Sequence, residues 1–190
     1  MKINPFLSMA GKVLIAMPNI DDDRFEKAVI YVSAHTEDTG AMGLVINKPA
    51  KKIKFHEILS QMNIPCASQI NDPDILWGGP DQLTRGFMLH SDDYKANSTL
   101  SHHGNIALTT SEHILLDVAA GIGPQHLILA LGCSTWIAGQ LEEELMSNVW
   151  LTADASSDLL FHTPYEYRWE KALSSLGVYA PLLSGDFGKA

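Results

Sequence analysis

The sequence predicts a fold that mixes short β-strands with amphipathic helices, and three stretches carry that prediction. The apolar run from His126 to Leu131 ends in Gly132, as a buried strand feeding a tight turn does. After it, Leu141, Leu145 and Val149 recur at helical spacing while Glu142, Glu143 and Glu144 fall mostly to the other side, which is the pattern of an amphipathic helix. Ala28–Ala34 and Ala41–Asn47, rich in Val, Ile and Tyr, flank the loop His35–Gly40 and read as a β-hairpin.

The other elements follow in chain order. Lys12–Met17 reads as a strand stopped by Pro18, which cannot donate to a sheet ladder. Asp21, Asp22 and Asp23 lack the alternation of a calcium loop and suit a solvated turn or helix start. Phe55, Ile58, Leu59 and Met62 trace a helical face that ends before Pro65. Ile75–Trp77 is a strand running into the sharp turn Gly78-Gly79-Pro80, Gly86–His90 another strand, and Ser91–Ser101 a polar loop. Thr109 with Glu112 forms a capping-box pattern that opens a helix through Ala120, closed by Gly121. Thr163 with Glu166 repeats the pattern for a last helix with Trp169, Leu173 and Leu176 inward and Gly177 as its stop. Val178–Leu183 adds one short strand.

Composition narrows the function classes. A chain of 190 residues, 46% of them apolar, can bury about two-thirds or more of its unfolded surface, so one domain over residues 1–190 is expected. The net charge of −9 works against a large phosphate-binding face and disfavours direct nucleic-acid binding. The one basic cluster, Lys48, Lys51, Lys52 and Lys54, suits a loop entering a helix. Cys66 and Cys133 have neither disulfide-framework nor zinc spacing, and adjacent histidines such as His102 and His103 point to opposite faces of a strand, so no metal site is expected. No cofactor motif stands out either. Without a signal peptide or a stretch near the ~20 apolar residues of a membrane span, a soluble cytoplasmic protein that makes no membrane contact is the expectation.

Several short motifs imitate catalytic ones. Gly132-Cys133-Ser134-Thr135-Trp136 approaches a nucleophile elbow but has Trp136 where the second glycine belongs. Cys133 near a helix start invites a reactive thiol, against its ordinary reading as a small buried hydrophobe. Asp38-Thr39-Gly40 matches the aspartic-protease triplet by letter, lacks a second copy, and serves as turn chemistry.

In order along the chain, Gly11–Val32, His35, Gly40–Pro49, the tetrad Trp77–Pro80, Leu131–Leu145 and Asn148-Val149-Trp150 together resemble the bacterial AlgH/YqgE family, over nearly the whole length. The chain keeps Gly132, Trp136, Gly139, Gln140, Leu141 and Glu142 of that family's pattern, and has Cys133, Thr135 and Ala138 where the family tends to have tyrosine, glycine and proline. The resemblance implies an α+β fold, with a branched or barrel-like mixed β-sheet flanked by helices. It also implies a link to regulation of gene expression, since such proteins are labelled transcriptional regulators, and no reaction.

The leading expectation is a non-enzymatic regulatory or interaction protein that binds a protein or small ligand. Its candidate cleft joins three turns: Asn47 and Pro49; Gly78, Gly79 and Pro80; and Trp136, Gly139, Gln140 and Glu142. One alternative is direct control through DNA, with Lys48–Lys54 joined by Arg24, Lys27 or Arg85. The other is a hydrolase or thiol-dependent enzyme using Ser134 or Cys133 with His35, His90 or His126.

Overall fold

The computed structural model describes residues 7–50, 53–65, 73–95, 98–179 and 183. Among the described residues, nine strands form one curled, branched sheet: β1 (Lys12–Ala16), β2 (Val29–Thr36), β3 (Gly40–Val45), β4 (Asp74–Trp77), β5 (Asp81–Ser91), β6 (Thr99–His103), β7 (Ile106–Thr109), β8 (Leu127–Trp136) and β9 (Trp150–Asp154). The described residues also form four α-helices that flank it: α1 (Phe55–Gln61), α2 (His113–Ala119), α3 (Gln140–Met146) and α4 (Arg168–Ser175). The fold is α+β.

The strand order is β6-β7-β5-β8-β3-β2-β1-β9, and β4 lies beside β8 off this path. Strand β8 is the branch. Its first half pairs in parallel with β4 from Ile128 to Leu131, its last residues pair antiparallel with β3 through Ser134–Trp136, and β5 runs along its other edge. The curl brings β6 back towards β2, where the His103 ring nitrogen Nε2 lies 3.2 Å from the Ser33 carbonyl oxygen and gives the sheet its half-barrel shape.

Most strands are buried on both faces, which is why they read as continuous apolar runs. Val13, Ile15, Val29 and Tyr31 face the inner core with Phe87, Leu89, Ile128, Ala130 and Cys133. Leu14, Ala16, Ile30 and Val32 face a second core with Trp136, Leu141 and Trp150, beneath α3. A third cluster, Phe55, Leu59, Met88, Ile114, Leu115 and Leu129, seats α1 and α2. The buried Arg168 guanidinium joins α4 to the end of β3, donating to the carbonyls of Ile46 and, at 2.9 Å, Thr163. Desolvation lowers its pKa to about 10.

The centre of the molecule departs from the sequence expectation. The turn expected at Gly132–Trp136 is strand, and the chain turns only at Ile137–Gly139 before α3. Gly132 is instead a bulge with φ of +76°. Ile128 and Ala130 face the inner core, strict alternation would put residue 132 there next, and Cys133 takes the place. The inserted glycine thus swaps the faces of β8 and brings Trp136 onto the core beneath α3.

Other boundaries also shift. Ser91–Ser101, expected as a loop, contains the end of β5 and the start of β6, and Thr109 closes β7 rather than capping a helix. α2 opens at His113, whose amide donates to Ser111 Oγ at 3.2 Å. Thr163 Oγ1 donates to the Asp158 carbonyl, and α4 begins five residues later, at Arg168. Leu176, expected inward, is 40% exposed beyond the end of α4. Glu142 and Glu144, expected on the solvent side of their helix, turn back against the sheet. Cys66, Lys51, Lys52 and residues 180–182 of the expected strand at 178–183 lie outside the described residues.

His90 is fully buried in β5. Its Nδ1 faces the Ser91 carbonyl at 2.9 Å and its Nε2 the Thr109 hydroxyl at 3.0 Å, which suits a neutral ring donating from Nδ1. Burial pushes its pKa below the usual 6.5. The unfolded chain therefore takes up a proton near pH 6.5 that the folded chain refuses, and stability falls as pH drops through that value. Thermal unfolding on either side of pH 6.5 is expected to show a steeper acid loss for the wild type than for His90→Gln. Equal slopes would contradict this assignment.

Candidate functional site

Two adjoining clefts open on the branched face. The larger, about 860 Å³, is lined by the Asn47–Ala50 segment, Trp77, Pro80, Leu83 and Leu131, with exposed Ile53 and the charged Asp23, Arg24 and Lys48 around them. The smaller, about 430 Å³, runs from the Asn19–Asp22 loop across Asp81 and Thr135 to Trp136, Gln140, Glu144 and Trp150. Arg24 and Pro80 line both.

The sequence-predicted residues divide between these walls and other tasks. Pro49 lines the larger cleft and lies on the outer edge of β4, where Trp77 N–H donates to the Lys48 carbonyl at 2.8 Å and Ala50 N–H to that of Ile75 at 2.9 Å. Asn47 lines it too, although its amide is spent on the chain: it accepts from Val29 N–H at 2.7 Å and donates to the Lys27 carbonyl at 2.8 Å. Pro80 is the shared wall. Gly78 and Gly79 pack against β8 at the branch, where a Cβ on Gly79 would lie 2.3 Å from the backbone of Cys133. Trp136 and Gln140 line the smaller cleft.

Gly139 and Glu142 line neither cleft. Gly139 is an exposed left-handed cap on α3. The Glu142 carboxylate approaches Nε2 of buried His35 at 3.1 Å, while Nδ1 of that ring accepts from Met9 N–H at 3.0 Å. Both ring nitrogens of His35 are therefore committed.

Four residues outside the sequence expectation complete the site. Glu144 accepts at one oxygen from both the Trp136 and Trp150 indoles, at 2.8 and 2.7 Å, and at the other from Gln140 Nε2 at 2.9 Å. Phe25 packs edge-on to Trp150 at 6.0 Å between ring centroids and tilts against Trp77 at 5.7 Å. Leu83 is 59% exposed on the cleft edge, directly after Gln82, whose φ is +49°. Asp81 accepts from Thr135 N–H and Oγ1 at 3.0 and 2.6 Å and ties β5 to the end of β8.

The cations of the site are already engaged. Arg24 grips Asp22 through Nε and Nη2, with a shortest contact of 2.7 Å, and that hydrogen-bonded fork holds the Asp22 carboxyl below its ordinary pKa. Lys48 Nζ donates to the Glu26 carbonyl at 2.7 Å, and desolvation lowers its pKa. Arg85 donates to Gln82 and Thr110 and lies over the Phe87 ring.

The residues considered as nucleophiles lie inside the sheet. Cys133 is fully buried, and desolvation pushes its thiol pKa up. Ser134 is 3% exposed and its hydroxyl points at the Gly78 carbonyl, 3.5 Å away. Neither has the exposed, base-assisted geometry a nucleophile requires. Among the described residues, no group of three or more histidine, cysteine or acidic side chains is placed to hold a metal ion, and no helix is long and apolar enough to cross a membrane.

The sequence matches the AlgH-like family model over residues 13–180. The chain belongs to the AlgH-like family. Relatives named UPF0301 protein include one from Bradyrhizobium sp., 45% identical over 95% of this chain and 87% of its own, and one from Jannaschia sp., 43% identical over 96% and 95%. The solution structure of the AlgH protein from Pseudomonas aeruginosa is similar over the whole of both chains, with 39% identity and a TM-score of 0.77. A crystal structure of a Corynebacterium diphtheriae protein, 18% identical with a TM-score of 0.70 over 97% of this chain and 94% of its own, shares the fold. In this AlgH-like chain the pattern residues Gly132, Trp136 and Gln140 are the bulge, the wall and the carboxylate partner that build the smaller cleft.

Proposed function

We propose that this AlgH-like protein is a non-enzymatic binding protein whose ligand occupies the clefts at the sheet branch. The observation that carries the reading is the larger cleft: about 860 Å³, with walls from Pro49, Ile53, Trp77, Pro80, Leu83 and Leu131 and a few polar groups at the rim. That size and composition are those of ligand sites. Cys133 is fully buried and out of reach of an electrophile unless β8 opens, and Ser134, although it lines the smaller cleft, is 3% exposed with its hydroxyl turned to the Gly78 carbonyl rather than to a base; both observations support binding over catalysis. A free, buried Cys133 thiol also fits a reducing cytoplasmic setting.

A fragment screen read by amide and indole NMR shifts tests the reading. Hits are expected to move Ala50, Trp77, Leu83 and Leu131 together; hits scattered over the surface, or none, would contradict it.

Regulation of gene expression, on this reading, is indirect. Arg24, Lys48 and Arg85 are engaged within the chain, and Asp21, Asp22 and Asp23 stand on the same face, an arrangement that opposes a phosphate backbone. Duplex DNA is expected to give no fluorescence-anisotropy change at physiological salt. Saturable, sequence-selective binding there would favour the direct regulator instead.

A further inference from the structure

The clefts at the branch form part of a longer groove. A third cleft, about 520 Å³, lies between α1, α2 and β5, and meets the larger one at Ile53 and Leu131, as the larger meets the smaller at Arg24 and Pro80. The three follow β8 in order, from Leu129 in the third to Trp136 in the smaller. At ~3.3 Å per strand residue that course is about 23 Å, the length of an extended chain of roughly seven residues.

One wall of the groove is backbone set apart from its neighbour. Asp81 pairs with Cys133 and Gly86 with Leu131, so residues 82–85 of β5 have no cross-strand partner on β8. They form an exposed ridge carrying Leu83 into the larger cleft and Thr84 and Arg85 into the third. Gln82, with φ of +49°, turns the chain, and the unpaired strand residues 83–85 that follow are what an incoming strand adds to.

Charge selects the occupant. The smaller cleft carries four carboxylates, Asp21, Asp22, Asp81 and Glu144, against Arg24; Asp22 is forked on that guanidinium, Asp81 and Glu144 accept only from neutral groups, and the wall keeps a net negative charge. The third presents Glu57 and Glu112 against Arg85, whose guanidinium already donates to Gln82 and Thr110. The middle cleft is the apolar one. We infer that the groove takes an extended segment of a partner protein, about seven residues long, with apolar side chains at its centre and basic ones at its ends, added alongside residues 83–85. This inference rests on the binding reading above and narrows it from a ligand of any kind to an extended basic-apolar polypeptide.

The test uses a synthetic peptide of about eight residues with leucine and valine at its centre and lysine at both ends, titrated by NMR against the intact protein. Its all-D enantiomer and a glutamate-for-lysine version are the controls. The L-peptide is expected to bind about tenfold or more tightly than either control, a difference of ~1.4 kcal/mol. Its shifts are expected to run from Met88 and Thr110 through Leu83 to Gln140 and Trp150. Leu83→Arg, at an exposed site, is expected to weaken it about tenfold, and Asp21→Lys about two- to fivefold with loss at high salt.

Equal binding of the D-peptide, tighter binding of the acidic peptide, or no binding would overturn the inference. So would concentration-dependent self-association through the same residues, which would make a second copy of the chain the occupant. If fragments still collect at Trp77 and Leu131 while no peptide binds, the binding reading stands and the polypeptide alone is rejected.

Discussion

Gly79→Ala is expected to lower the melting temperature by about 10 °C, corresponding to a destabilisation of about 3 kcal/mol in a chain of this size. An added Cβ would meet the Cys133 carbonyl carbon and oxygen at 2.3 Å and Ser134 Oγ at 2.4 Å, two of the three being backbone atoms that cannot rotate away. Relief requires β4 and β8 to separate where Gly78 N–H donates to the Leu131 carbonyl and Val45 N–H to that of Gly78, both at 2.8 Å. That is the branch of the sheet. Gly139→Ala provides the contrast: its φ is +83° but its Cβ would meet nothing within 4 Å, so the cost is only the ~1 kcal/mol of a left-handed backbone. Comparable losses for the two variants, by calorimetry, would mean that the close approach at the branch is not what the glycine serves.

Glu144→Ala is expected to destabilise the fold by roughly 2–4 kcal/mol and to shift tryptophan emission to the red. The substitution leaves the indole N–H groups of Trp136 and Trp150, both largely buried, and the Gln140 amide without their acceptor. The two rings pack edge to face at 6.4 Å and are held in that arrangement from one carboxylate oxygen. Glu144→Gln keeps an oxygen for the indoles but sets its amide against that of Gln140, and is expected to recover more than half of the loss. An alanine variant with unchanged emission and stability would show that Glu144 does not organise the wall of the smaller cleft.

The fold was legible where local pattern and tertiary pairing agree. The β2–β3 hairpin and β4 before Gly78 fell within a residue or two of the expected positions because alternating or continuous apolar residues end at turn formers. β7 and β9 were missed for a physical reason. Ile106–Thr109 runs into a residue pattern that imitates a helix cap, and Trp150–Asp154 follows a helix directly; each is a strand only because β5 or β1 offers a partner. The bulge at Gly132 was legible as a break and not as a change of face, since one inserted residue looks the same as a turn until the next pairing is known.

The lining of the candidate clefts was half legible. Asn47, Pro49, Pro80, Trp136 and Gln140 belong to turns or turn-flanking positions, and they line adjoining clefts. Trp77 and Leu131 were hidden because a strand residue beside a turn reads as core, and Leu83 because nothing in the letters around Gln82 signals its left-handed backbone. Glu144 lies one helical turn beyond Gln140, and its neighbours Glu142 and Glu143 gave it the look of ordinary first-turn charge. The carboxylate instead holds the indoles of Trp136 and Trp150.

The most direct test of the groove as the working surface is a photo-crosslinking residue placed at position 83 in growing cells, with position 167 as control; Leu83 and Tyr167 are both well exposed, and only Leu83 lines the groove. The account predicts a discrete crosslinked species from position 83, absent from position 167 and lost when Trp77 is also substituted by alanine. No species from position 83, or the same species from both positions, would contradict it.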